Sequence, residues 1–237
     1  MIESNTVKTV GIIGGIGPES TIEYYRLIVA AYRERQTDRG NPSIIINSVD
    51  VDKLLAWVGA NELDAFTDYL VTEIERLARA GADFGAIAAN TPHIVFDEIR
   101  RRSPIPLISI VEATCDETQS LGFERVALFG TRFTMQGRFY PDVLSRAGIA
   151  IVIPKEDEQS YIHEKYLGEL LHDIFLPETR EHFLAIVDRM KARDNIEAVI
   201  LGGTELPLLL RDHQHHGITF LETTKIHVQR IVAELVS

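Results

Sequence analysis

The sequence predicts an α/β protein made of two pseudo-symmetric halves, each with a parallel sheet, and an active-site cleft between them. Short runs rich in Val and Ile alternate with longer segments of helical periodicity, an order typical of βαβ units. These apolar runs are nearly continuous, as expected of strands buried on both faces. The same order of runs then repeats in the second part of the 237 residues.

The first half is predicted to hold four strands and three helices. Pro18 suits the first turn of a helix, and apolar residues from Leu63 to Leu77 recur at helical spacing. The predicted strands cover residues 7–13, 43–49, 84–89 and 106–110, and the predicted helices cover residues 18–35, 61–80 and 92–102.

The second half repeats this order with strands predicted at residues 125–130, 150–154, 197–203 and 218–221. Equivalent strand positions are separated by 116 residues (Gly14 and Gly130), 114 (Ala89 and Gly203) and 112 (Leu107 and Thr219). Such similar spacings favour a duplication over coincidental matches between strands. We expect a first half at 1–111, with a C-terminal helix at 222–237 packing back on it, and a second half at 112–221.

The composition argues against several classes of function. The chain has 24 Lys and Arg against 35 Asp and Glu, a net charge of −11, which disfavours binding to nucleic acid or to a membrane surface. The one cysteine, Cys115, excludes an internal disulfide and a four-thiolate zinc site. We therefore expect a cytoplasmic enzyme or binding protein.

Ligands of parallel sheets bind at the carboxyl ends of the strands, so the residues that follow each strand are site candidates. The first such segment runs from Gly14 to Ser20 and can be a tight structural turn, a carboxylate-binding loop or, less consistently, part of a nicotinamide site. Asp50 lies later in the chain than the ribose-binding acid of a dinucleotide fold.

Two further strand ends carry polar residues at matching places. Asn90 and Thr91 precede Pro92 and His93, and Thr204 and Glu205 follow Gly203. Each threonine can cap a helix or bind a ligand oxygen, and the repetition favours one shared site. His93 is a possible base.

The remaining chemistry-bearing residues favour structural roles. Cys115 lies in a helical register near Glu112 and Asp116, which disfavour a thiolate, so a core residue is expected. His213, His215 and His216 could bind a divalent metal, but a polar surface loop is the preferred interpretation.

The chain resembles the aspartate/glutamate racemase family from about Val10 to its C-terminus. The resemblance rests on the motifs GIIGGIGPESTIEYY (11–25), NSVD (47–50), ANTPH (89–93), LFGTRFTMQGRFY (128–140) and GGTEL (202–206). It implies two α/β halves, an acidic amino acid or dicarboxylate as ligand, no cofactor, no metal and a homodimer.

The resemblance also implies the site residues. Family members use one cysteine from each half, and Ala88 or Ala89 and Gly203 stand at those positions here. Thr91 and Thr204 are the remaining catalytic candidates next to them. The implied substrate-binding residues are Gly15, Ser48, Asn90, Thr91, Thr131, Thr204 and Glu205.

Two functions stay open on this basis. The first is a racemase-type isomerase, independent of pyridoxal phosphate, in which the two-thiol chemistry is lost. The alternative is a lyase or decarboxylase using the same carbanion-stabilising pocket, or a carboxylate-binding regulatory protein without catalysis.

Overall fold

The computed structural model describes residues 8–36 and 40–237. Contacts between Cα atoms divide the chain into two compact units. The first unit holds the described residues up to 88, with 95–109 and 227–237, and the second holds 89–94 and 110–226. The chain therefore enters each unit more than once, and the segment that carries Asn90 and Thr91 belongs to the second unit.

The first unit contains a parallel sheet and the helices that lie between its strands in the sequence. Its elements are β1 (Thr9–Gly14), α1 (Pro18–Arg35), β2 (Ser43–Ser48), α2 (Val51–Gly59), α3 (Leu63–Arg79), β3 (Phe84–Ile87), α4 (Phe96–Arg102) and β4 (Leu107–Ile108). Among the described residues the strand order is β2-β1-β3-β4, and every pair is parallel.

The second unit consists of residues 89–94 and of a continuous segment that runs from α5 to the first turn of the last helix, and the rest of that helix, from residue 227, belongs to the first unit. Its elements are α5 (Ile110–Ser120), β5 (Arg125–Gly130), α6 (Arg132–Gln136), α7 (Phe139–Leu144), β6 (Ala150–Val152), α8 (Glu156–Gly168), α9 (Pro177–Asp194), β7 (Ala198–Gly202), α10 (Leu206–Leu209), β8 (Gln214–His215), β9 (Ile218–Glu222) and α11 (Thr223–Leu235). Short 3₁₀ segments lie at Thr91–Val95, Ser145–Ala147 and Leu170–His172.

The two sheets share one topology, which confirms the predicted fold class. The second sheet has the order β6-β5-β7-β9-β8, so its first four strands repeat the order of the first sheet. The only antiparallel pair within the described chain joins β8 to β9. Val10 pairs with Phe84 in one sheet and Val126 with Ala198 in the other, in agreement with the predicted equivalences.

Each sheet is covered on both faces by apolar side chains, which explains the continuous apolar strands. The β3 and β7 strands are buried along their whole length. In the first unit the residues of α11 from Val228 to Leu235 pack with Tyr24 and Ile28 of α1 in one cluster. No helix in the described ranges is long and apolar enough to cross a membrane.

One local prediction was wrong, and two elements, α2 and β8, were not predicted. The predicted helix over 92–102 is a 3₁₀ turn followed by α4. The segment after β2 forms α2, which begins at Asp50 because that carboxylate accepts hydrogen bonds from the amides of Asp52 and Lys53. Asp50 is thus a helix cap and not a ribose-binding acid. The strand β8 was not predicted.

Candidate active site

Three threonine hydroxyls meet at the carboxyl end of β5. The Oγ1 atoms of Thr91, Thr131 and Thr134 lie 3.2, 3.3 and 3.4 Å from one another, and we call these three side chains the hydroxyl cluster. Thr131 and Thr134 are buried, whereas Thr91 is half-buried. The cluster therefore has one side that is open to solvent.

The sheet itself places this cluster. Gly130 and Gly202 are paired across β5 and β7, and a Cβ atom on either would lie 3.0 Å from the Cγ2 atom of Thr134. The absence of side chains at the two strand ends lets Thr134 sit directly on the sheet edge. Thr131 also caps α6 by accepting a hydrogen bond from the amide of Thr134.

The Asn90 side chain is fixed from two sides. Its Oδ1 accepts the hydroxyl hydrogen of Tyr140 at 2.7 Å, and its Nδ2 donates to Thr223 Oγ1 at 3.2 Å. Thr223 in turn donates to the carbonyl of Leu201 in β7. An amide nitrogen carries two hydrogens, so Asn90 keeps one donor for a ligand.

His93 is a structural residue in this arrangement. Its ring is buried, with Nδ1 3.1 Å from the carbonyl of Ala89 and Nε2 3.3 Å from the amide of Ile110. A neutral ring that donates from Nδ1 and accepts at Nε2 satisfies both backbone groups. Both nitrogens are therefore occupied, which argues against the predicted possibility that His93 is the base.

Thr204 and Glu205 form a buried group with Tyr166 of α8. Glu205 Oε2 accepts hydrogen bonds from the Tyr166 hydroxyl and from Thr204 Oγ1. Burial raises the pKa of the Glu205 carboxyl and raises the pKa of the Tyr166 phenol well above its usual value. The prediction that Thr204 caps a helix was wrong, because α10 begins after Glu205 and has no side-chain cap.

The two positions that the resemblance assigned to thiols carry no proton-transfer group. Ala88 and Ala89 are buried methyl groups. A Cβ atom at Gly203 would lie 2.4 Å from Cε2 and 2.8 Å from the hydroxyl oxygen of Tyr166. Tyr166 thus fills the space that a side chain at Gly203 would need.

Two candidates, Gly15 and Ser48, lie in the first unit. Gly15 has a φ of 80°, and a Cβ atom there would lie 2.3 Å from the carbonyl oxygen of Val49, so only glycine fits this turn. Its amide donates to Thr21 Oγ1 at 2.8 Å, which favours the structural interpretation of the turn. Ser48 is exposed at the end of β2.

Cys115 has the predicted character of a core residue. It is buried on α5, and burial raises the pKa of its thiol, with smaller contributions from Asp116 and Glu112. A thiol of this kind is a poor nucleophile and a poor base at neutral pH.

One group of side chains could hold a metal ion. Asp188, His215 and His216 offer ligand atoms within 4.8 Å of one another. Both histidines already contact the Asp188 carboxylate, at 3.1 and 2.9 Å. These hydrogen bonds account for the arrangement, and His213 is apart from it beside Glu222.

Sequence reasoning missed Thr134, Tyr140, Tyr166 and Thr223. Thr134 and Tyr140 lie within a motif that carried the resemblance, so that motif is the signal that could have found them. Tyr166 and Thr223 lie in helices far along the chain from the residues they contact. Only tertiary structure brings them to the strand ends.

Comparisons with known proteins show the family and the fold of this chain. The family model of the Asp/Glu/Hydantoin racemases matches residues 13–231. The broad specificity amino-acid racemase RacX of Bacillus subtilis (strain 168) is 24% identical over 91% of this chain and 92% of its own. An aspartate racemase homologue from Pyrococcus horikoshii OT3 is 30% identical, covers 97% of this chain and 100% of its own, and superposes with a TM-score of 0.81. Aspartate racemase of Picrophilus torridus, 21% identical over 97% and 94% of the two chains, shares the fold with a TM-score of 0.76.

Proposed function

Because this chain belongs to the Asp/Glu/Hydantoin racemase family, we propose that its second unit binds a small acidic amino acid or dicarboxylate and exchanges the proton of the α-carbon without a thiol. The observation that carries this proposal is the hydroxyl cluster beside Asn90. Uncharged donors at a buried strand end bind a carboxylate despite the net charge of −11, because direct hydrogen bonds act over a few ångströms.

The geometry of the cluster supports a carboxylate ligand. The three hydroxyl–hydroxyl distances of 3.2–3.4 Å are longer than the roughly 2.7–2.8 Å of a typical O–H···O bond. Each hydroxyl can therefore turn its hydrogen to a stronger acceptor at little cost. A carboxylate oxygen is such an acceptor, and charge-assisted hydrogen bonds are about twice as strong as neutral ones.

The loss of two-base thiol chemistry is part of the same proposal. Racemisation needs a proton donor and a proton acceptor on opposite faces of the α-carbon. Ala89 and Gly203 supply neither, and Cys115 is buried within α5. Each missing acid–base group costs about 10²–10⁴-fold in rate, so racemisation is expected to be much slower than proton exchange on one face.

Calorimetry with both enantiomers of aspartate and glutamate, and with succinate, tests the binding step. We expect saturable binding of at least one ligand, weakened about 10-fold or more by Thr91→Val, since a hydrogen bond to a charged group contributes about 1.5–3 kcal/mol. Thr67→Val is the matched control, because Thr67 is buried and its hydroxyl bonds, within the described chain, only to the carbonyl of Leu63 in its own helix. No saturable binding of any of these ligands would refute the proposal.

The homodimer and the cytoplasmic location also remain proposals. The exposed apolar side chains of Ile22 and Tyr25, one turn apart on α1, and of Ile46 on β2 support a self-association surface. A single free cysteine is consistent with a reducing compartment. Light scattering coupled to size-exclusion chromatography measures the mass, and a monomer at all concentrations would contradict the dimer.

A further inference from the structure

Glu205 is a buried carboxyl group without a cation. It is 3% exposed, and the described residues form no ion pair with it. Its Oε2 accepts from two hydroxyls, whereas Oε1 is buried and has no hydrogen-bond partner in the described chain. Burying an ionisable group with half of its acceptors unused costs free energy, and such groups are concentrated at functional sites.

Tyr166 connects this carboxyl group to the end of β7. Its ring packs within the apolar cluster of the second unit, beside Ile162 and Leu170. Its hydroxyl oxygen lies 2.8 Å from the place of a Cβ atom on Gly203. Any residue other than glycine at 203 would displace the phenol, so Gly203 is what allows this hydroxyl to lie at the end of β7.

The same strand end also contacts the hydroxyl cluster. Gly202 of β7 abuts Thr134, and Leu201 is linked to Asn90 through Thr223. The phenol of Tyr166 therefore lies at the same edge of the sheet as the groups proposed to bind the carboxylate. A ligand held there by its carboxylate has its α-carbon within a few ångströms of that edge.

We propose that Tyr166 is the proton-transfer residue of this site and that Glu205 is the base that accepts the phenolic proton. The inference rests on the proposed function. In the forward step the α-C–H bond breaks and its electron pair stays on the substrate as the carbanion. The proton forms a new O–H bond with the Tyr166 oxygen while the phenolic proton passes to Glu205 Oε2. Return of a proton to carbon reverses both transfers.

The simultaneous transfer fits the electrostatics of the pair. Burial raises the pKa of Tyr166 well above its usual value, so a free phenolate is not a stable intermediate. Burial also raises the pKa of Glu205, which makes its carboxylate a stronger base than an exposed one. Because the phenolic proton passes to Glu205 as the α-proton arrives, one negative charge moves from the Glu205 carboxylate to the α-carbon, and Tyr166 stays neutral.

Deuterium exchange tests the assignment on the full chain. In deuterated water the captured α-proton exchanges from the Tyr166 hydroxyl for a deuteron of the solvent, and the reverse step then delivers that deuteron to the α-carbon. We expect proton NMR to show loss of the α-proton signal from the amino acid that binds in calorimetry. Tyr166→Phe and Glu205→Gln should each slow this exchange about 10²-fold or more and change the dissociation constant less than about threefold.

The matched control is Tyr161→Phe, which removes a phenol from the same helix where the ring stacks on His182. It should exchange at the wild-type rate. Wild-type exchange in Tyr166→Phe, or binding without any exchange in the unmodified protein, would overturn the inference and leave the binding proposal intact. If Tyr166→Phe does not fold, Glu205→Gln tests the inference alone, because it should slow the exchange and leave the dissociation constant nearly unchanged. Absence of binding in the unmodified protein refutes the proposed function instead.

Discussion

Gly203 is the position where one added side chain should change the protein most. The Cβ atom of Gly203→Cys would lie 2.4 Å from the Tyr166 ring, and that ring is enclosed by buried neighbours. Overpacking of this kind typically costs about 1–3 kcal/mol. We expect a lower free energy of unfolding in urea for this variant. We also expect no racemisation by chiral chromatography, even when Ala89→Cys is added.

Making room for the thiol should reverse both results. Tyr166→Leu removes the ring atoms that meet the new Cβ, so the triple variant with Ala89→Cys and Gly203→Cys should recover stability relative to the double variant and gain racemisation. Ala89→Cys alone is the control for a thiol that meets no such ring. A Gly203→Cys variant as stable as the unmodified protein would contradict the packing argument.

At this scale the sequence predicts residues that belong to contiguous motifs. Asn90 and Thr91 follow an apolar run directly, so strand-end reasoning reaches them, whereas Thr131 came from the motif that carried the resemblance. Tyr166 cannot be found in this way, because an aromatic residue within a helix has the pattern of an ordinary core residue. Its contact with Gly203 and Glu205 depends on the packing of α8 against the sheet.

At the scale of elements, one buried histidine joins three of them in the first unit. His227 of α11 accepts from the Tyr24 hydroxyl of α1 at Nδ1, 2.9 Å away, and donates from Nε2 to the carbonyl of Ile108 in β4 at 3.1 Å. The ring is fully buried and must be neutral to accept from Tyr24. Burial lowers the pKa of His227 from 6.5 to about 4.

This pKa predicts a loss of stability in mild acid. Between pH 6.5 and about 4 the unfolded chain takes up a proton that the folded protein excludes, so the free energy of unfolding falls as the pH falls. The expected contribution is about 3 kcal/mol over that interval. It is fully present above pH 6.5 and lost by about pH 4, measured by urea unfolding at pH 7.5, 6, 5 and 4.

His227→Gln is the matched variant, since an amide can replace both hydrogen bonds but does not titrate. The free energy of unfolding of this variant should be lower at pH 7.5. As the pH is lowered to 4, it should fall by about 3 kcal/mol less than that of the unmodified protein. Equal pH dependence of the two proteins would show that His227 is not the titrating group. Other ionisable residues contribute to both curves and cancel in the comparison.

Elements with strong periodicity were predicted well and those defined by capping were not. The helix α1 and the strand β5 have the predicted bounds, because Pro18 and a continuous apolar run define them locally. The α2 helix was missed because it depends on the Asp50 cap after an apolar strand. The 3₁₀ segment at Thr91–Val95 was predicted as part of an α-helix because apolar spacing does not distinguish the two in one turn.

At the scale of the whole molecule, the repeated strand order could be predicted from the sequence. The assignment of each segment to one of the two units could not be predicted as well. Similar spacings between strand ends indicated a duplicated α/β arrangement, and both sheets have it. Residues 89–94 belong to the second unit although they directly follow a strand of the first. Side-chain contacts such as that of Asn90 with Tyr140 place them there, and no periodicity reveals such contacts.

The return of the chain to the first unit at residue 227 predicts that this unit requires its C-terminal segment. Val228, Ile231, Val232 and Leu235 are at most 3% exposed and pack in the core of the first unit. Burial of each such side chain contributes about 1.5–3 kcal/mol, and the four together approach the whole stability of a typical domain, about 5–15 kcal/mol. A chain that ends at residue 226 should therefore lose the folded first unit.

Trp57 makes this loss measurable, because it is the single tryptophan of the sequence and lies on α2 of the first unit, 5.3 Å from the Tyr69 ring. In the shortened chain its fluorescence should match that of the urea-unfolded protein before urea is added. Removing only residue 237 is the control and should leave the unfolding midpoint close to the original, because Ser237 is exposed and follows the last turn of α11. A milder variant, Ile231→Ala, should lower the free energy of unfolding by about 2–5 kcal/mol. A cooperative Trp57 transition at the original midpoint in the chain that ends at 226 would mean that the first unit folds without α11.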